Sequence, residues 1–229
     1  MVSLKERKDA LFKITHPYFS KIGFRFDKGI PNKYYRNEKE LIYDLGFNFL
    51  IKSDFHTNSL LMISFKKVEE IVIEIGMPNN DLIPYKNGEN YMITIKHPFY
   101  YQIYEQKFSQ INLKTVEGFE QWGHLILEYM EGEGKAFMER YSYLPNVLKE
   151  MDRLEAEGKY WKEILVAGSP IWFFRGLIIS KLCNDINFSS KKKWVDIFFN
   201  DAQYELEEWL PYYEKLKERL KTIEPIYNI

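Results

Sequence analysis

Leu41-Ile42-Tyr43-Asp44-Leu45-Gly46-Phe47-Asn48-Phe49-Leu50-Ile51 carries an apolar side chain at every odd position, with Asp44, Gly46 and Asn48 among the even ones. A two-residue period turns successive side chains to opposite faces, so the stretch predicts a strand with one covered face and one at least partly wet. The alternation returns in Leu61, Ile63 and Phe65, in Ile71, Ile73 and Ile75, and in Tyr91, Ile93 and Ile95, from where it can run on through Phe99, Tyr101 and Ile103. Lys66-Lys67-Val68-Glu69-Glu70 fits a tight connection, and Pro78-Asn79-Asn80-Asp81 and Lys86-Asn87-Gly88 are turn chemistry. Short connections between amphipathic strands favour an antiparallel meander. The expectation is one antiparallel sheet of about four to six strands over residues 41–104, with a short edge strand near Lys33–Arg36.

Outside the sheet the period is helical. Leu4, Lys8, Leu11, Ile14 and Tyr18 hold helical spacing, and His16 before Pro17 predicts a kink or restart, because the residue before proline avoids the helical region. After Thr115, Phe119, Trp122, Ile126 and Met130 share one helix face, and Gly132-Glu133-Gly134 marks a break. Pro145 opens another helix with Leu148, Met151 and Leu154 inward and Gly158 at its end. Further helices are expected over Ile171–Asn184, over Lys192–Leu210, and from Pro211 with Leu216 and Leu220 inward. Strands followed by helices mean α+β: an N-terminal helix, an antiparallel sheet, then a mostly helical C-terminal half. With no repeat and no Gly-, Pro- or Ser-rich linker, residues 1–229 read as a single domain, its sheet part at about 1–110 and its helical part at about 115–229.

The chain has 229 residues and a formal net charge of −1, and its 45% hydrophobic and 28% charged residues rule out disorder and collagen-like structure. Its single cysteine, Cys183, cannot form an internal disulfide, which fits a reduced, cytoplasmic compartment. Charges mixed through Leu4–Asp9 do not make a signal peptide. The most apolar stretch, Ile164–Cys183, is broken by Gly168-Ser169-Pro170 and carries Arg175 and Lys181, against the pattern of a membrane span. Residues 1–114 hold 17 Lys+Arg against 13 Asp+Glu, and residues 115–229 hold 15 against 20. The helical half is therefore the acidic one.

Several chemistries fail on residue type and spacing. No two of His16, His56, His97 and His124 stand three or four apart, and one cysteine cannot build a cysteine-based zinc site, so no metal or other cofactor is expected. Asp54-Phe55-His56 offers two ligand types but lacks a third. Gly132-Glu133-Gly134-Lys135-Ala136 has Ala where a phosphate loop needs Ser or Thr, and Gly168-Ser169-Pro170 lacks the second glycine of a nucleophile elbow. Aromatics beside basic groups, Tyr34-Tyr35-Arg36 and Tyr100, Tyr101 and Tyr104 near Lys107, bear on single-stranded nucleic acid, yet strand aromatics on the apolar face read as core. Lys191-Lys192-Lys193 is too short a basic run to argue for nucleic acid.

Two sets of residues stand out. At about 100° per residue, Arg175 falls on the apolar arc of its helix among Ile171, Ile179 and Leu182, so its guanidinium must find a buried partner. That partner is a carboxylate of another helix or an anionic ligand. Glu117, Glu120, Glu128 and Glu131 fall in one broad arc, since steps of about 3 and 11 residues return to nearly the same side of a helix. With Glu133, and with Tyr129 as an aromatic anchor, they are the expected contact surface for a basic protein partner.

Leu11-Phe12, Pro17-Tyr18-Phe19, Ile22-Gly23-Phe24-Arg25-Phe26, Tyr34-Tyr35-Arg36 and the strand Leu41–Asp54 together resemble a broad type of bacterial cytoplasmic protein. These are domains of unknown function with an N-terminal helix ending in Gly-Phe ahead of an antiparallel sheet. The resemblance covers residues 4–110 and implies no catalytic residue. Some members are encoded beside toxin genes, which implies an immunity-type role. The expected function is binding, with a hydrolase or nucleotide-processing enzyme built from dispersed Asp, Glu, Arg and His as the alternative.

Overall fold

The computed structural model describes residues 2–28, 32–49, 57–78, 92–97, 100–166, 170–201 and 204–228. Ile51, Asp54-Phe55-His56, the turn residues 79–81 and 86–88, Tyr91, Phe99 and Gly168-Ser169 lie outside the described residues, as do the side chains of Phe49, Tyr100, Tyr101 and Ile103. The architecture is α+β: an N-terminal helix, a five-stranded antiparallel sheet, and a mostly helical C-terminal half. Helix α1 (Leu4–Lys21) leads into β1 (Arg25–Asp27), β2 (Asn32–Asn37), β3 (Leu41–Phe49) and β4 (Thr57–Phe65), followed by α2 (Lys66–Ile75) and β5 (Ile95–Lys96). The sheet order is β1-β2-β3-β4-β5. Then come α3 (Tyr100–Ser109), α4 (Val116–Glu131), α5 (Glu133–Tyr141), α6 (Leu144–Ala156), α7 (Ile171–Leu182), α8 (Phe188–Asn200) and α9 (Leu210–Leu220). Backbone contacts divide the chain into two compact units, residues 1–63 with 97–140 and residues 64–96 with 141–229.

In the first unit the register sets Tyr34 opposite Phe26 and Leu45, and Asn32 opposite Phe47. Tyr34, Leu45 and Phe47 are buried, and so are Tyr43 and Leu41, as the alternation predicts. Ile42 and Asp44 on the other face are buried too, so that face is drier than expected. β2 lies between β1 and β3, and β1 is the edge, so the edge strand expected at Lys33–Arg36 is an interior one. Ser3 caps α1, its Oγ accepting from the Glu6 N–H while Glu6 Oε2 accepts from the Ser3 N–H. The helix runs unbroken through Pro17. Tertiary packing overrides the local preference there: Phe19 stacks on Tyr34 at 4.1 Å and Phe12 meets Phe26 at 4.5 Å, one ring cluster holding both sides of the proline. α4 crosses α1 closely enough that a Cβ on Gly123 would meet Ile14 Cβ at 2.9 Å.

The second unit is built around α7, which packs against α2, α6, α8 and α9 and is buried at every position except Lys181. Gly176 lies under Trp161, where a Cβ would come within 2.2 Å of the indole ring. Leu148, Met151 and Leu154 are buried on α6, and Leu216 and Leu220 on α9, as expected.

Three expected elements differ. Ile71–Ile75 is the end of α2, not a strand, and Lys66–Glu70 is its beginning. Val68, Ile71, Val72 and Ile75 are its buried apolar residues, so the helical period prevails in a run whose residues also fit a two-residue period. The expected continuation through Tyr101 and Ile103 is helix α3. The helix expected over Lys192–Leu210 starts earlier, at Phe188, and ends at Asn200, with a short 3-10 turn at Glu207–Trp209 before α9.

Candidate functional site

Arg175, 2% exposed on α7, meets Glu69 of α2. Its Nε donates to Glu69 Oε1 at 2.9 Å and its Nη2 to Oε2 at 3.0 Å, a bidentate fork, while Nη1 donates to the Val166 carbonyl at 3.0 Å. Thr94 Oγ1 donates to Glu69 Oε1 at 2.7 Å and accepts from the Phe65 N–H at 2.9 Å. Both charges are thus desolvated and hydrogen-bonded. An anionic ligand at Arg175 would have to displace Glu69 from the guanidinium edge that best binds a carboxylate or phosphate.

The glutamates expected to face a partner lie on α4 and at the start of α5. Thr115 caps α4, its Oγ1 accepting from the Gly118 N–H at 3.0 Å. Phe119, Trp122, Ile126, Tyr129 and Met130 form the buried arc. Glu117, Glu128, Glu131 and Glu133 are exposed and Glu120 is half-buried. Glu120 pairs with Lys13 at 3.2 Å, and Glu128 with Lys107. Glu117, Glu131 and Glu133 make no ion pair among the described residues. His124 is exposed.

Tyr129 is a correction. It is 1% exposed, its ring packs 5.3 Å from Tyr104, and its hydroxyl bonds His97 Nδ1 at 2.9 Å, so it belongs to the core of its unit and not to a surface. Burial pushes His97 down to about 4, which keeps the imidazole neutral at ordinary pH.

The basic run also has partners. Lys191 is buried, donating to Asp185 at 2.8 Å and to Asp152, while Lys192 pairs with Asp196 at 2.8 Å. Burial, with a contribution from Asp185, raises the Cys183 thiol to about 12, which leaves it a poor nucleophile. Among the described residues no group of three or more His, Cys, Asp and Glu is placed to hold a metal.

Sequence reasoning passed over one surface, the outer face of α8. Ile197 is 58% exposed between half-buried Trp194 and Phe198, and the exposed rings of Tyr160 and Tyr204 extend the row at 6.2 Å from Trp194 and 4.7 Å from Phe198. Beside it runs an open concavity of about 490 Å³ lined by Lys193, Asp196, Ile197, Asn200 and Asp201. The signal was present in composition: Trp194–Glu214 contains Asp196, Asp201, Glu205, Glu207, Glu208 and Glu214 and no Lys or Arg. No helix among the described residues is long and apolar enough to cross a membrane. No protein-family profile, curated protein or solved structure matches the chain.

Proposed function

We propose that this protein works by binding a basic partner protein through the outer arc of α4 and the start of α5, as an immunity-type inhibitor of a toxin does. The observation that carries the reading is the trio Glu117, Glu131 and Glu133, exposed carboxylates without an ion pair among the described residues, the first two on the α4 arc whose reverse side is core and the third at the start of α5. Clustered unpaired carboxylates steer a cationic surface toward the helix and raise its association rate. Glu120 and Glu128, held by Lys13 and Lys107, contribute less. Arg175, the residue on which an anionic ligand was expected, has its guanidinium fork taken by Glu69, which supports placing the binding surface elsewhere.

The test is cross-linked capture from the native host with wild type and with the Glu117→Lys/Glu131→Lys/Glu133→Lys chain. The reading expects a basic protein retained by wild type and lost by the variant. A partner held equally by both would overturn it.

A further inference from the structure

We infer that the outer face of α8 is a second binding surface, and that its occupant is a cationic amphipathic helix of a partner protein. It rests on α8 and its neighbours alone and is independent of the α4 surface.

Ile197 leaves most of its side chain in water in the middle of a helix whose Val195 and Phe199 are already buried. Trp194, Ile197 and Phe198 stand at i, i+3 and i+4, so they form one ridge. The ridge is rigid from beneath: Trp194 packs on Trp161 at 4.9 Å and Phe198 on Phe173 at 4.9 Å. A preorganised aromatic row loses little side-chain freedom when covered, which is what anchors in interfaces share.

The charges around the ridge choose the occupant. Glu205 follows Tyr204, whose ring meets Phe198, and Glu207 and Glu208 open the 3-10 turn next along the chain; all three are exposed and make no ion pair among the described residues. Asp196, which Lys192 pairs at 2.8 Å, and Asp201 line the concavity with Lys193, and Lys162 Nζ stands 5.2 Å from the Tyr160 ring. The balance is Asp196, Asp201, Glu205, Glu207 and Glu208 against Lys162, Lys192 and Lys193, a net acidic one that favours Lys and Arg over phosphate backbones and anionic lipid. The α8 backbone is satisfied within the helix and offers no edge for strand addition, so an apolar-faced helix laid along the ridge is the mode that fits.

The probe is a synthetic peptide of about 18 residues with Leu on one helical face and Lys on the other, compared with its Leu/Glu counterpart. Titration calorimetry of the full chain is expected to show binding of the Leu/Lys peptide alone. Ile197→Lys should weaken it by about tenfold or more, because an apolar anchor is replaced by a repelling charge at an exposed helix position that tolerates lysine. Glu207→Lys/Glu208→Lys should weaken it in a salt-sensitive way, whereas Glu117→Lys/Glu131→Lys/Glu133→Lys should leave it unchanged. Loss in that last variant alone would assign the peptide to α4 and overturn the inference. Absence of binding, equal binding of the Leu/Glu peptide, or equal affinity of Ile197→Lys and wild type would overturn it as well. So would sedimentation showing a wild-type dimer that Ile197→Lys dissociates, since the occupant would then be a second copy of this chain.

Discussion

Helices α7 and α4 each carry charge that the sequence makes conspicuous, and they use it in opposite ways. α7 has no wet side, so Arg175 must be neutralised where it stands, and Glu69, Thr94 and the Val166 carbonyl do so. α4 has a buried arc and a wet one, and its carboxylates are on the wet one. A charge on a helix buried all round belongs to folding, whereas a charge on a two-faced helix can stay in water, as Glu117 and Glu131 do. Whether the rest of the helix has a wet face decides which.

The largest expected effect breaks the α7 side. Arg175→Ala strands a buried carboxylate and should cost about 3–5 kcal/mol in denaturant unfolding. Arg175→Met with Glu69→Leu removes both charges and should cost distinctly less than Arg175→Ala alone. Cys183, which caps α7, gives an independent readout: its raised thiol should resist iodoacetamide at pH 8 in the native protein and react sooner in Arg175→Ala. A double variant no more stable than the single one would remove the account of Arg175 as a paired structural charge.

Next is the inner arc of α4. His97 sits at about 4 when folded and at about 6.5 when unfolded, so the unfolded chain takes up the proton first as pH falls. Its contribution is complete above about pH 6.5 and is lost toward pH 4, about 3 kcal/mol in all. His97→Gln should flatten that part of the stability profile relative to wild type. Unchanged slopes would mean that the imidazole is not held neutral against Tyr129.

The smallest effect on stability belongs to the outer arc. Glu117→Lys, Glu131→Lys and Glu133→Lys together should leave the thermal midpoint within about 2 °C of wild type. A larger shift would make these carboxylates part of the fold and blur the contrast with α7.

Much of this was legible in the residues. The period of β3 and β4, the proline at the start of α6 and the buried arc of Phe119, Trp122 and Ile126 follow from spacing alone, as does the need of Arg175 for a partner. The partner's identity does not, because Glu69 lies on a run, Val68 to Ile75, that satisfies both helical and strand periods. Tyr129 was legible and is the instructive miss: it stands i+7 from Trp122 and i+3 from Ile126, on the covered arc, although its sequence neighbour Glu128 is wet. Pro17 shows the limit of local rules, since a cluster of rings assembled from α1 and the sheet holds the helix through it. The α8 ridge escapes a search for motifs because its mark is the absence of any basic residue over Trp194–Glu214.

The central proposal, that the outer carboxylates of α4 and the start of α5 recruit a basic partner, is tested most directly by stopped-flow association of the captured partner with wild type and with Glu117→Lys/Glu131→Lys/Glu133→Lys. The account predicts a wild-type rate constant that falls steeply between about 50 and 200 mM salt, and a variant that is slower by about tenfold at low salt and nearly salt-independent. Equal rate constants with equal salt dependence in the two proteins would contradict it.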